Sequence, residues 1–172
     1  NRKYCIEKLK ELFIGEVLVI DEIKIDDIPV HSRIIREYLK DGNIKIANKL
    51  LGKEYKIYGH QIKGQGLGTK SFVPTINLKI EEFLLPQEGV YVTKTILDDK
   101  EFNSITFLGH RATTDGSYAV ETHIIDENIK NSNYTTQIKF YEKLRDNKKF
   151  DSFEELKKQI LNDIETTRIY FK

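Results

Sequence analysis

Between residues 64 and 71 the chain reads Gly-Gln-Gly-Leu-Gly-Thr-Lys-Ser. Alternate glycines at Gly64, Gly66 and Gly68 leave backbone amides uncovered so that an anion can approach them, and Lys70 adds a point charge. Phosphate is the guest such a loop suits. The run is not a Walker loop, because Thr69 stands where a glycine must precede the lysine, and the same residue breaks a GxGxxG pattern. Taken alone it also reads as a flexible hairpin loop.

A second segment, Pro74-Thr75-Ile76-Asn77, enters a strand from an extended proline, and residues two apart on a strand share a face. Thr75 and Asn77 therefore project together. A hydroxyl oxygen beside an amide oxygen can serve a hard cation such as Mg²⁺, which takes oxygen ligands and keeps waters or phosphate oxygens. Two polar residues on a wet strand face would look the same.

In the third segment, Tyr118 to Ile125, alternation puts Glu121 and His123 on one face and Val120 and Ile124 on the other. A carboxylate held at a hydroxyl can accept its proton as that oxygen attacks phosphorus. A solvated strand charge for Glu121 and a structural role for His123 are the plainer readings. Phosphoryl transfer needs an amide cradle, a metal that bridges phosphates and a group at the nucleophile, and all three occur here in order. Spacing leaves open whether they meet in space.

The elements that must position these residues are mostly strands. Periodicity predicts a helix over 4–13, a strand over EVLVIDEIKI, a helix over HSRIIREYLKDG stopped at Asp41-Gly42, and a short helix NIKIANKLLG ending at Gly52. Beyond it the chain turns β-rich, with strands expected at 54–64, 74–80, 89–97, 101–109, 117–126 and 134–145, and Asp98-Asp99 as a hairpin turn. Six strands without long intervening helices predict antiparallel pairing closed into a small barrel, which removes exposed edges. Ser152 with Glu155 forms a capping box, and Phe153, Leu156, Ile160 and Ile164 give the helix that follows an apolar stripe. The boundary between the α/β front and the barrel is expected near residue 45.

Composition bounds the rest. Hydrophobic residues at 39% supply a folded core, and 28 Lys plus Arg against 27 Asp plus Glu create no global field toward nucleic acid or an anionic membrane. An anionic ligand must then be held locally. The single Cys5 excludes an intrachain disulfide and a cysteine metal cluster, in keeping with a cytoplasmic setting. No apolar run approaches the roughly 20 residues that span a bilayer. The start at Asn1 leads us to expect that the chain begins inside a longer gene product.

The ordered set GQGLGTK, PTINL, LLPQEGVYV, AVETHIID and LRDNKKFDSFEELKKQILNDIE resembles riboflavin kinase, from about residue 54 to the end. The resemblance implies a mainly β fold, a small six-stranded antiparallel Greek-key barrel with a C-terminal α-helix. It implies transfer of the ATP γ-phosphoryl group to the 5′-hydroxyl of riboflavin, giving FMN and ADP, with Mg²⁺ accompanying ATP. Gly64, Gly66, Gly68, Lys70 and Thr75 would bind the nucleotide, Thr75 and Asn77 the metal, Glu121 would be the base, and Arg145 would lie on the flavin side. Residues 1–45 resemble the tail of the FMN adenylyltransferase domain with its linker helix, an α/β remnant, and 46–172 the kinase domain of bacterial bifunctional enzymes. Without the bulk of that first domain, adenylylation of FMN is not expected. Departures from the family pattern fall at His31 to Arg36, Phe72-Val73, Phe107, Ala112 and Lys130 to Asn133. Those around the flavin bear on its affinity, and a flavin-binding regulatory barrel that has lost catalysis is the alternative.

Overall fold

The computed structural model describes residues 2–63, 73–113, 115–127 and 135–172. The contacts divide the chain into two units, 1–30 and 31–172. In the first, helix α1 (Arg2–Leu12) is followed by a two-residue hairpin, β1 (Lys24–Ile25) and β2 (Ile28–Pro29). Asp26 and Asp27 make its turn with φ of 48° and 60°. The strand expected over EVLVIDEIKI is thus reduced to its last two residues. Its β-branched residues favour extension, but a strand needs a hydrogen-bonded partner, and β2 supplies only two residues.

In the second unit, helices α2 (Ser32–Lys40) and α3 (Ile44–Leu51) precede the strands. Asp41 and Gly42 end α2, the latter at φ 73°. The Asn43 side chain caps α3 by accepting from the Ile46 amide, and Gly52 ends it in the left-handed conformation. Leu39, Ile44 and Ala47 pack into one core with Ile57, Tyr91 and Phe140 of the strands. Asn48 fastens α3 by donating to the Phe140 carbonyl at 2.8 Å and accepting from the Tyr55 amide at 2.7 Å. Both helices therefore belong to the same compact unit as the barrel, and the contact division falls earlier in the chain than residue 45.

Six strands follow: β3 (Tyr55–Ile62), β4 (Ile76–Ile80), β5 (Gly89–Leu97), β6 (Lys100–His110), β7 (Tyr118–Ile124) and β8 (Thr135–Arg145). They close in the order β3-β4-β7-β6-β5-β8, every pair antiparallel, and β4 lying beside β7 gives the Greek-key arrangement. The expected mainly β barrel is the one observed. Asp98 and Asp99 join β5 to β6 with φ of 48° and 61°, the paired left-handed geometry that matches strand twist in a two-residue hairpin. Gly89 opens β5 at φ 156°, where a Cβ would meet the Arg145 carbonyl oxygen at 2.5 Å, so β5 and the end of β8 cross too closely for a side chain.

Alternation sorts each strand between interior and outer wall. Ile76, Leu78, Leu108, Val120, Ile124 and Ile138 fill the interior. Buried hydroxyls complete it: Thr93 contacts Ser104 and Thr106, both at 2.8 Å, and Thr95 contacts Ser104 and Thr122 at 2.8 and 2.9 Å. Helix α4 (Phe153–Tyr170) covers part of the outer wall. Ser152 caps it through the Glu155 amide at 3.2 Å, as expected, and Ile160 and Ile164 pack on Val90, Ile105 and Phe107. Phe153, expected on that stripe, stands at the first position of α4 and is half exposed, while Asp163, Ile164 and Thr167 further along the helix are buried.

Candidate active site

Asn77 and Glu121 are opposed residues of the β4–β7 ladder. Their neighbours Ile76, Leu78, Val120 and Thr122 are buried in the interior, so by alternation both polar side chains stand on the outer wall. Two acceptors facing one another across a ladder need a donor between them, and Arg111, the residue after β6, provides it. Its Nη2 donates to Asn77 Oδ1 at 2.8 Å and to Glu121 Oε1 at 2.6 Å, while Nε donates to the same Oε1 at 2.9 Å. Nη1 donates to Ser117 Oγ at 2.7 Å. Ser117 in turn gives its amide and hydroxyl hydrogens to the Asp115 carboxylate, which lies 3.9 Å from Arg111 Nη1. The Arg111 and Glu121 side chains are 17% and 24% exposed, so these charge-assisted bonds are only partly screened by water.

The cluster opens on a cleft of about 210 Å³ lined by Lys63, Asn77, Arg111 and Tyr118. Tyr118 is partly buried, which with the nearby Glu88 carboxylate raises its phenol above the ordinary value. Thr75 is half-buried and directly precedes β4. Its approach is fixed by His123, whose Nδ1 lies 2.7 Å from the Pro74 carbonyl oxygen and must carry the hydrogen to bond it. Burial pushes the His123 imidazole below its ordinary pKa, an effect larger than the opposing pull of that carbonyl. His123 is thus a neutral tether between β7 and the segment entering β4.

His110, whose ring meets Tyr118 edge-on at 5.2 Å, is held in turn by Glu88 and Asn147. Glu88 accepts from the His110 amide at 3.2 Å and contacts the His110 ring at 2.8 Å, and Asn147 donates to the His110 carbonyl at 2.7 Å. Burial alone would raise the Glu88 carboxyl, but these donors outweigh it and hold it below the ordinary range. Gly109 stands at φ 141°, where a Cβ would meet Glu88 Oε2 at 2.7 Å. Thr113 accepts from the Phe150 amide at 3.2 Å, tying the loop after β6 to the segment before α4.

The structure thus brings Asn77 and Glu121 together with Thr75 close by. Gly64, Gly66, Gly68 and Lys70 lie outside the described residues, as do Phe72 and Lys130 to Asn133. Arg145 is committed elsewhere: it pairs with Asp163 of α4, donates to the Asp146 carbonyl at 3.2 Å, and lies over the Phe150 ring at 5.7 Å from its centre. The sequence reading missed Arg111 and Asp163. Arg111 directly precedes Ala112, one of the departures from the family pattern, and Asp163 is a carboxylate beside the apolar stripe of a helix. Among the described residues no group of three or more His, Cys, Asp or Glu could form a metal cage. Asn77 Oδ1, which accepts one bond from Arg111, has a second lone pair.

A family model described as Flavokinase, riboflavin kinase, matches residues 51–171. The chain is 35% identical over 144 residues to a bifunctional riboflavin kinase/FMN adenylyltransferase of Haemophilus influenzae, covering 83% of this chain and 47% of that protein. It is 31% identical over 144 residues to the enzyme of the same name from Escherichia coli, covering 83% and 46%. To that of Bacillus subtilis it is 27% identical over 158 residues, covering 89% and 50%. The chain therefore spans about half the length of the curated relatives it matches. A solved structure described as a macrolide-efflux protein from Streptococcus pneumoniae superposes with a TM-score of 0.85 at 32% identity, covering 95% of this chain and 54% of that one. Among the described residues no helix is long and apolar enough to cross a membrane. With the barrel, the ordered motifs and a family match over most of its length, this chain belongs to the riboflavin kinase family.

Proposed function

We propose that this chain transfers the γ-phosphoryl group of ATP to the 5′-hydroxyl of riboflavin, releasing FMN and ADP, at the outer wall of the barrel between β4 and β7. The observation that carries the reading is the juxtaposition of Asn77 and Glu121, from strands far apart in sequence, on one ladder rung. Glu121 accepts the proton of the attacking hydroxyl. Gly64, Gly66, Gly68 and Lys70, with Thr75, cradle the nucleotide phosphates. Thr75 and Asn77 are the residues that would hold Mg²⁺, which supplies neutralisation of the phosphate charge when bound. Arg145 carries over to the flavin side of the site. With its guanidinium committed to Asp163, we assign it to shaping residues 146–150 rather than to direct contact.

Residues 1–45 correspond in this reading to the tail of an FMN adenylyltransferase domain with its linker, and 46–172 to the kinase. Adenylylation of FMN is not expected of these residues, and the setting is the cytoplasm, where riboflavin and ATP meet. The test is FMN formation from riboflavin, ATP and Mg²⁺, resolved by chromatography, with Glu121→Gln and Asn77→Ala alongside. Loss of a general base costs about 10² to 10⁴ in rate, and both variants are expected to lose turnover. Tight riboflavin binding by calorimetry without any FMN would instead support a regulatory flavin-binding barrel.

A further inference from the structure

The proposed site contains a cation that the phosphoryl-transfer reading leaves without a role. We infer that Arg111 is a positioning residue: it holds Oε1 of Glu121 and Oδ1 of Asn77 on one nitrogen, so that Oε2 of Glu121 is the oxygen presented to the substrate hydroxyl. This rests on the assignment of Glu121 as the base.

Three features carry it. An arginine and a carboxylate usually pair through two parallel bonds, one to each oxygen. Here Nε and Nη2 both converge on Oε1, and among the described residues every donor to Glu121 reaches that oxygen. The fork is turned because Nη2 also serves Asn77. One carboxylate oxygen is thereby fixed and the other left for a ligand.

The second feature is how firmly Arg111 itself is held. Its amide donates to the Ser117 carbonyl at 2.9 Å, and its carbonyl accepts from the Gly116 amide at 3.1 Å, so the turn closes around it. Gly116 makes that turn at φ 72°. Ser117, oriented by Asp115, then accepts from Nη1. A side chain anchored at its backbone and at its far end can set the direction of another group.

The third is chemical. A lysine brings one nitrogen on a flexible stem, whereas the planar guanidinium reaches Asn77, Glu121 and Ser117 at once. A staple that merely closed the turn would need Ser117 and Asp115 alone.

The experiment is a double-mutant cycle in this chain: Arg111→Met and Glu121→Gln singly and together, with Arg111→Lys as the conservative variant. Turnover and KM for both substrates are measured, by single-turnover kinetics where rates are low, and thermal melts check folding. We expect R111M to lower kcat on the order of 10²-fold, as misplacement of a reacting group does, with both KM values changing by less than about 3-fold and R111K recovering part of the loss. In the E121Q background R111M should cost less than about 3-fold, since no base remains to orient. An undiminished R111M effect in that background, with E121Q itself crippled, would overturn the role of Arg111 and leave the base assignment standing. So would a rise in KM for ATP at unchanged kcat, which would put the guanidinium on the phosphates. Near-full turnover by E121Q alone would remove the base assignment and this inference with it. If R111M does not fold, the same cycle with R111K decides.

Discussion

Arg145 and Asp163 join the end of β8 to the middle of α4, with Nε and Nη2 both on Oδ2 at 2.9 and 2.8 Å. The Asp163 side chain is only 5% exposed. Its other oxygen accepts from Gln159 at 2.8 Å and its carbonyl from the Thr167 hydroxyl at 2.9 Å. Removing the arginine would leave a carboxylate buried beneath a helix with one neutral donor. Breaking a buried pair from one side costs about 3–5 kcal/mol, and partial exposure of Arg145 puts this case at the low end, about 3 kcal/mol for Arg145→Ala. Urea denaturation should show that loss, while Arg145→Met with Asp163→Leu should recover much of it, because no unpaired charge then remains.

His123 gives stability a dependence on pH. Its imidazole has a pKa below 6.5 in the folded chain because burial disfavours the charged ring. As pH falls through about 6.5, the unfolded chain takes up a proton that the folded chain refuses. Stability is therefore expected to fall as pH is lowered through 6.5, until the folded histidine itself protonates. The depressed-pKa group is at full advantage above the unfolded value. Denaturation midpoints for wild type and His123→Gln at pH 7.5 and 6.0 check this: the wild type should lose more than the variant on acidification. Equal losses would mean His123 is not the group responsible.

The hydroxyl cluster inside the barrel makes a third expectation. Thr106 bonds both Thr93 at 2.8 Å and Thr122 at 3.0 Å, and all three are fully buried. Thr106→Val keeps the shape but removes one bond from each of two buried hydroxyls that keep another partner, Thr93 in Ser104 and Thr122 in Thr95, at a cost of about 1 kcal/mol. The double variant Thr93→Val with Thr106→Val should cost less than the sum of the two, since the bond between them is lost in each single variant but only once in the double. Equilibrium denaturation of the four proteins measures it. FMN formation at saturating substrate should persist, because the cluster faces inward and Glu121 faces out.

Much of this molecule is local information. Asp98-Asp99, the Ser152–Glu155 cap and the end of α3 at Gly52 were all legible because each depends on the preferences of a few adjacent residues. Strand extents for the barrel were legible for a related reason, as Gly89–Leu97 alternates between two buried faces of a pairing that every strand of a closed barrel obtains. The segment EVLVIDEIKI shows the limit: its composition favours extension as strongly as theirs, and it pairs only at Lys24 and Ile25, where β2 meets it.

The sequence by itself determined the barrel's strands, the helices, the closed-barrel class and the residue types available for phosphoryl transfer, since those follow from periodicity, turn chemistry and motif order. Only the tertiary structure decided that Asn77 opposes Glu121, that Arg111 lies between them, and that Arg145 turns toward Asp163. Register across a ladder and the reach of a guanidinium are set by barrel closure. That is a cooperative property of the whole unit, which no local stretch of sequence carries.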